Sequence, residues 1–229
     1  MVNNATIFSD VQTAWQSWNV QGFATQRECL LSVQRSMAEI NSTLASVMAY
    51  HVQQATSLLA EPHLMQGPTG ETNELYAAGR GVALVLVESN DAQASVAAIA
   101  QLTAALIAGN GVIVCSNNQN VDQLLKSAIS KSKLPPQLVQ FVGFDQTSAF
   151  IEFDVRVVAV VGSNETEWKV NHQLAQRESA IGLLVSETDL MSLPTSHDPN
   201  LVLRFITERT RTINITAVGG NATLLELGS

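Results

Sequence analysis

Apolar residues in the first quarter of the chain recur at three- and four-residue steps, the spacing of one helix face. The recurring positions are Leu30, Val33, Met37, Ile40, Leu44, Val47 and Met48. This stripe predicts one long amphipathic helix that begins near Thr25, which has Glu28 at capping-box spacing. A shorter helix, capped by Ser9 or Asp10, is predicted before the break at Gly22.

Beyond residue 80 the pattern changes to short, continuous apolar runs. In order they are "GVALVLVES", "GVIVCS", "LPPQLVQFVGF", "FDVRVVAVVGS" and "AIGLLVSE". Such runs are typical of strands buried on both faces of a sheet. Helical stretches separate most of them, and the first has Asp91 as its predicted cap and Gly109-Asn110 at its end. The alternation predicts an α/β fold, with a Rossmann-like, doubly wound and mostly parallel sheet.

Two further features divide the chain. The stretch "EPHLMQGPTGETN" is rich in Pro and Gly and is predicted to be a connector. Near the end, the runs "TRTINIT" and "NATLLEL" flank Gly219-Gly220, which predicts a β-hairpin or flap. We therefore expect an N-terminal helical segment (1–66), a Rossmann-like α/β domain (67–207) and a C-terminal flap or interface motif (208–229).

Composition narrows the possible partners. The 229 residues carry a formal net charge of −8, and the sequence pI is about 4.9. An acidic chain without a basic cluster is a poor ligand for nucleic acid or for an anionic membrane surface. The N-terminus has no basic stretch followed by an apolar one, and the Ala-rich apolar run is shorter than a membrane span. We expect a cytoplasmic protein without membrane insertion.

Gly162 and Ser163 are the weak candidates for cofactor binding. They follow a predicted strand and open a helix, and the amino end of a helix attracts anions. Glu165 and Glu167 lie in the first turn, where their charges repel a phosphate but stabilise the helix. Ordinary helix capping is therefore the favoured interpretation. Gly79-Arg80-Gly81 precedes a strand and lacks a third glycine, so it does not match a dinucleotide fingerprint.

No catalytic or metal-binding residue is predicted. Cys115 ends a predicted strand, but no histidine lies near it in sequence, and Cys29 lies beside the apolar stripe. Both are expected to be small buried hydrophobes. The four histidines are scattered without metal-ligand spacing.

Three passages, in this order, resemble one family. They are "GPTGETNELYAAGRGVALVL", "LAQRESAIGLLV" and "ERTRTINITAVGGNATLLELG". Together they are similar to the C-terminal domain of long bifunctional proline utilization A flavoenzymes, from about residue 66 to the end. Ser179 stands where the family usually has Gly.

This resemblance implies the fold of the aldehyde dehydrogenase cofactor domain without catalysis. In the family the domain lies against the 1-pyrroline-5-carboxylate (glutamate semialdehyde) dehydrogenase domain, and its terminal motif helps to seal an internal cavity. The resemblance therefore implies a non-catalytic accessory protein of proline catabolism without a cofactor. Its expected partner is a proline utilization enzyme or dehydrogenase encoded separately, or a second copy of the chain. The interface residues that we would test first are Asn214, Gly219, Gly220 and Asn221.

Two alternatives remain open. The first is an NAD-dependent 1-pyrroline-5-carboxylate dehydrogenase, with Cys115 as its nucleophile. Against it, the superfamily's Gly-Gln-x-Cys motif is absent around both cysteines. The second is a nucleotide-binding regulatory module that keeps the fold without the chemistry.

Overall fold

The computed structural model describes residues 3–67 and 71–214. The helices are α1 (Asn4–Asn19), α2 (Phe23–Ala38), α3 (Ser42–Leu59), α4 (Ala92–Ile107), α5 (Gln119–Ser130), α6 (Thr147–Ile151) and α7 (Asn164–Gln176). The strands are β1 (His63–Met65), β2 (Glu71–Gly79), β3 (Val82–Val87), β4 (Gly111–Ser116), β5 (Val139–Gly143), β6 (Val155–Val161), β7 (Leu183–Glu187) and β8 (Ile206–Asn214). Short 3₁₀ turns lie at Phe144–Gln146 and Leu201–Arg204.

Five strands form a parallel sheet in the order β5-β4-β3-β6-β7. This confirms the predicted Rossmann-like, doubly wound α/β fold. The central strand β3 is buried throughout, and alternate residues enter two different cores. Val85 and Val87 pack in the core that includes α2, α3, α4 and α5, whereas Leu84 and Leu86 pack with α1, α6 and α7. Continuous apolar runs are required because both faces of the sheet are covered by helices.

The predicted long helix is wrong, because two helices take its place. α2 ends at Ala38, and α3 begins after Asn41, whose Oδ1 accepts a hydrogen bond of 3.0 Å from the backbone N–H of Leu44. Ile40 lies in the turn and is 50% exposed, so the apolar stripe does not pass through it.

The predicted starts of the first two helices are also wrong. α1 is capped by Asn3 rather than by Ser9 or Asp10, and α2 begins directly after Gly22. Thr25 therefore lies inside the first turn of α2 and is not its cap. Its backbone N–H already donates to the Gly22 carbonyl, at 3.0 Å.

The predicted connector contains strands. β1, β2 and β8 form an antiparallel sheet in the order β1-β2-β8, which we call the arm sheet. β8 pairs with β2 from Glu71↔Asn214 to Gly79↔Ile206 without a shift of register. Residues 210–214 of the first run of the predicted C-terminal hairpin thus belong to β8, and the rest of that run and the whole second run lie outside the described residues.

Asn110 joins the arm sheet to the α/β domain. Its buried side chain accepts from the backbone N–H groups of Arg80 (2.7 Å) and Gly81 (3.2 Å). Its Nδ2 donates to the carbonyls of Ala105 (2.9 Å) and Phe205 (3.0 Å). The preceding Gly109 has φ +93°, which confirms the left-handed helix end predicted at Gly109-Asn110.

Candidate functional site

The carboxyl ends of four parallel strands meet at one edge of the sheet. β3, β4, β6 and β7 end at Val87, Ser116, Val161 and Glu187, which are adjacent in the strand register. Helices α4, α5 and α7 begin shortly after three of these ends. Ligands of open α/β sheets bind in the crevice outside the carboxyl ends of the strands. We call this region the carboxyl edge and treat it as the candidate site.

The side chain of the residue directly before each of these three helices caps its amino end. In each case the side-chain oxygen of the capping residue accepts a hydrogen bond from the backbone N–H three positions later. The pairs are Asp91 with Ala94 (2.6 Å), Asn118 with Val121 (3.1 Å) and Ser163 with Thr166 (3.2 Å). The capping predicted for Asp91 and Ser163 is confirmed. Hydrogen bonds from Ser89 and from the Ala94 N–H also hold the pKa of the Asp91 carboxyl below its ordinary value.

A second side chain accepts hydrogen bonds at the start of α7, and the sequence patterns did not identify it. Glu88 directly follows β3, and its Oε2 accepts from the Ser163 N–H at 2.7 Å. Its Oε1 accepts from the Thr166 hydroxyl at 2.8 Å. Burial raises the pKa of this carboxyl, but the hydrogen bonds from Ser163 and Thr166 outweigh burial, and the net pKa lies below the ordinary value. Glu88 is therefore an anion at neutral pH.

Gly162 is shaped by the same contact. A Cβ atom at this position would lie 2.4 Å from Glu88 Oε2 and 2.8 Å from Glu88 Cβ. No side chain fits at such distances without displacing the carboxylate. The Gly162-Ser163 pair thus allows the Glu88 side chain, 75 residues from Ser163 in sequence, to lie against the start of α7.

Other acidic groups surround this edge. Glu165 and Glu167 lie in the first turn of α7, where Glu165 pairs with Lys169 at 2.6 Å on the exposed surface. Asp122 lies in the first turn of α5, its Oδ1 is buried without a hydrogen-bond partner, and burial raises its pKa. Glu187 is 1% exposed and accepts from both the backbone N–H and the hydroxyl of Ser196. The local potential is therefore unfavourable for a phosphate ligand.

Neither cysteine is exposed to solvent. Cys115, at the end of β4, is 0% exposed, and burial raises the pKa of its thiol to about 12. Burial also raises the pKa of the Cys29 thiol. The thiolate is the nucleophilic form, so burial disfavours the reactive state of both side chains. This confirms their expected role as buried hydrophobes.

Clusters of metal ligands and membrane-spanning helices are both absent from residues 3–67 and 71–214. In that part of the chain, no group of three or more His, Cys, Asp or Glu side chains could hold a metal ion. None of its helices is both long enough and apolar enough to cross a bilayer.

The second candidate surface is β8, at one end of the arm sheet. Among the described strands only β2 pairs with it, so its other edge faces away from the sheet. Side chains from Glu208 to Ile213 are exposed. An edge strand of nine residues presents a row of backbone donors and acceptors to which another strand can add.

Side chains stiffen the arm sheet from β2 to β8. The Arg211 guanidinium pairs with Glu74, with Nε at 3.0 Å from Oε2, and lies 5.7 Å from the centre of the Tyr76 ring. The Thr212 hydroxyl donates to Asn73 at 2.6 Å. Beside them opens a cavity of about 550 Å³, which Arg209 and Arg211 line together with apolar residues of α3, β2 and β8.

The predicted interface residues lie in or beyond β8. Asn214 is its last residue and stands opposite Glu71. Gly219, Gly220 and Asn221 lie outside the described residues.

The position of Glu88 could have been predicted from the sequence. It is the first polar residue after a fully apolar strand, so it had to lie at the carboxyl edge.

No protein-family model and no curated protein sequence matches this chain. Solved structures do match. A proline utilization A (PutA) variant from Bradyrhizobium japonicum superposes with a TM-score of 0.70 and 21% identity, over 83% of this chain and 23% of that one. PnpE in complex with nicotinamide adenine dinucleotide gives 0.66 and 16% identity, over 80% and 42% of the two chains. An NAD-dependent benzaldehyde dehydrogenase from Corynebacterium glutamicum gives 0.59 and 12%, over 80% and 46%.

At these identities the similarity establishes the fold. The chain shares its α/β fold with these three structures over at least 80% of its length. It spans less than half of the length of each of these three proteins and less than a quarter of the PutA chain.

Proposed function

We propose that this chain is a non-catalytic accessory protein of proline catabolism. It docks on a 1-pyrroline-5-carboxylate dehydrogenase or proline utilization enzyme, or it associates with itself, through β8 and the residues that follow. The observation that carries the docking role is β8 itself, a nine-residue edge strand whose outer side no described strand covers. Exposed edges of this length are normally paired or protected, because they otherwise promote aggregation.

The chemistry of the arm sheet supports pairing with another polypeptide. Charged side chains of β8 discourage indiscriminate edge pairing, while Ile213, 41% exposed, offers an apolar contact near the end of the strand. The cavity beside β8 has space for side chains of a partner. Asn214, Gly219, Gly220 and Asn221 remain the residues that we propose for this interface.

The absence of catalysis is supported by the cysteines. A dehydrogenase of this superfamily needs a reactive thiol, and burial holds the pKa of Cys115 near 12. Activating this thiol would require removing it from the core that contains Ile113, Phe150 and Val160.

The docking experiment compares three full-length proteins and one truncation. The truncation removes residues 215–229 and keeps β8 intact. Ile213→Lys places a charge on β8, and Ile181→Lys places the same charge on another exposed isoleucine, before β7. Binding to the purified dehydrogenase and to proline utilization A from the same organism is measured by surface plasmon resonance, and self-association by sedimentation velocity.

We expect the intact chain and Ile181→Lys to associate equally, and the truncation and Ile213→Lys to lose at least ten-fold in affinity. Equal association of the truncation and the intact chain would contradict the proposed interface. A monomeric chain that binds neither enzyme would contradict the docking role altogether.

One observation favours a second candidate, an NAD-dependent 1-pyrroline-5-carboxylate dehydrogenase. The similar structure of PnpE contains nicotinamide adenine dinucleotide. The residues of this chain do not fit that cofactor well, because Glu88 lies at the amino end of α7, where a phosphate would bind, and more carboxylates follow in the first turn. The test is NADH formation at 340 nm with 1-pyrroline-5-carboxylate, by the wild type and by Cys115→Ala. Turnover that this substitution abolishes would support the enzyme, and turnover at background would dispose of it.

A nucleotide-binding regulatory module is tested with the same proteins. Binding of NAD to the native state alone would raise the melting temperature with NAD concentration. A melting temperature that does not change with NAD concentration would contradict the regulatory module.

A further inference from the structure

We propose that Glu88 is an internal anion that takes the place of a ligand phosphate at the amino end of α7 and so excludes phosphate-bearing ligands from the carboxyl edge. This inference concerns a different surface from β8, and it holds whether or not the chain docks on an enzyme.

The first support is the backbone framework around Glu88. Its N–H donates to the Val161 carbonyl at 3.0 Å, which extends the β3–β6 pairing by one step. Gly162 N–H donates to the Glu187 carbonyl at 3.2 Å. Both ends of the contact are therefore fixed by the parallel sheet, and the carboxylate is held at the start of the helix rather than reaching it by chance.

The second support is the set of donors that Glu88 uses. A helix offers unpaired N–H groups and a partial positive charge at its amino end, and a phosphate binds there through both. In this chain the Ser163 N–H and the Thr166 hydroxyl donate to Glu88, and the Thr166 N–H donates to Ser163. An entering phosphate would have to displace a carboxylate that already carries the complementary charge.

The third support is Gly162. Glycine next to a helix start is usually interpreted as room for a phosphate. Here the Glu88 carboxylate occupies that space. A Cβ atom on residue 162 would lie only 2.4 Å from Glu88 Oε2. The Gly162-Ser163 pair is therefore explained by a carboxylate of this chain.

A capping role alone predicts a different result from an anion substitute. If Glu88 only stabilises α7, its removal lowers stability and creates no new property. If Glu88 occupies a phosphate position, its removal also opens a site with free donors and less negative charge. Gain of anion binding is thus the decisive readout.

The experiment measures the melting temperature of the full chain with increasing inorganic phosphate, against sodium chloride at equal ionic strength. The proteins are the wild type, Glu88→Ala and Glu165→Ala. Glu165→Ala is a matched control, because it removes the same charge from the same end of α7. The Glu165 side chain contacts Lys169 and not Ser163. We expect Glu88→Ala to melt at a lower temperature without phosphate. With phosphate its melting temperature should rise by about 3 °C or more at ten times the dissociation constant, and should continue to rise with the logarithm of the phosphate concentration.

The wild type and Glu165→Ala should show equal and smaller rises with phosphate, because phosphate stabilises folded proteins generally by its exclusion from their surface. A phosphate-dependent rise of the wild type that equals that of Glu88→Ala would overturn the proposal. So would a folded Glu88→Ala protein that shows no response.

A second measurement uses the wild type, in case Glu88→Ala does not fold. The amide proton of Ser163 is followed by NMR between pH 7 and pH 2.5. Its chemical shift should change with a midpoint below the ordinary glutamate pKa, because protonation of Glu88 weakens the hydrogen bond that this amide donates. An amide shift that does not follow such a titration would show that the carboxylate does not occupy the position.

Discussion

His51 makes the stability of this protein depend on pH in a way that can be isolated. The side chain lies on α3, is 3% exposed, and its Nε2 is 3.0 Å from the Ser196 carbonyl. A carbonyl oxygen only accepts, so the neutral ring carries its proton on Nε2. Burial lowers the pKa of His51 from 6.5 to about 4, although the bond to Ser196 and the charge of Asp198 act in the opposite direction.

The sign and size of the effect follow from proton linkage. Between pH 6.5 and pH 4 the unfolded chain binds a proton at His51 and the folded chain does not. The stability that depends on the neutral ring is therefore complete above pH 6.5, is lost as pH falls from 6.5 to 4, and changes no further below that range. With these two pKa values the loss between pH 7.5 and pH 4.5 is about 2.5 kcal/mol.

The assay is urea unfolding, followed by circular dichroism, at pH 7.5 and pH 4.5. His51→Gln keeps a donor for the Ser196 carbonyl but cannot titrate, and His63→Gln is the control on an exposed strand. The carboxylates contribute equally in all three proteins. The pH dependence of the free energy of unfolding should therefore be smaller by about 2.5 kcal/mol in His51→Gln alone. An equal loss of stability in His51→Gln and the wild type between these pH values would refute the role of the buried neutral ring.

Two further predictions concern groups in the interior. Asn110→Asp keeps the shape of the side chain but turns its donor into an acceptor that faces two carbonyls, so the free energy of unfolding should fall by about 3 kcal/mol. In urea unfolding, the exposed Asn117→Asp should change it by less than about 0.5 kcal/mol, and equal losses in the two would contradict the role of Asn110. Cys115 should react with Ellman's reagent only at the rate of unfolding, because burial raises its pKa to about 12. Rapid native labelling of Cys115 in a Cys29→Ala background would contradict this.

The five parallel strands were predictable because burial on both faces demands uninterrupted apolar runs, and such runs are visible locally. The helix ends at Asp91, Gly109-Asn110 and Ser163 were predictable for a similar reason. A cap contacts its own helix within a few residues.

The arm sheet was not predictable from the same patterns. β2 is half-buried over Glu71 to Ala77, so its residues alternate weakly, and its start follows a Pro- and Gly-rich sequence that is typical of a connector. Its partner β8 lies more than 120 residues away in the chain. Pairing with a distant strand made it a strand, because backbone hydrogen bonds between strands carry no local sequence signal.

The sequence by itself determined the fold class, the buried strands and the burial of both cysteines, because these depend on which residues avoid water. Only the tertiary structure decided what the carboxyl edge is. Gly162-Ser163 has the local pattern of a phosphate turn, and the residue that occupies the turn, Glu88, directly follows the neighbouring strand β3. Strand order brings the two together, and it is set by the packing of the whole sheet rather than by either segment.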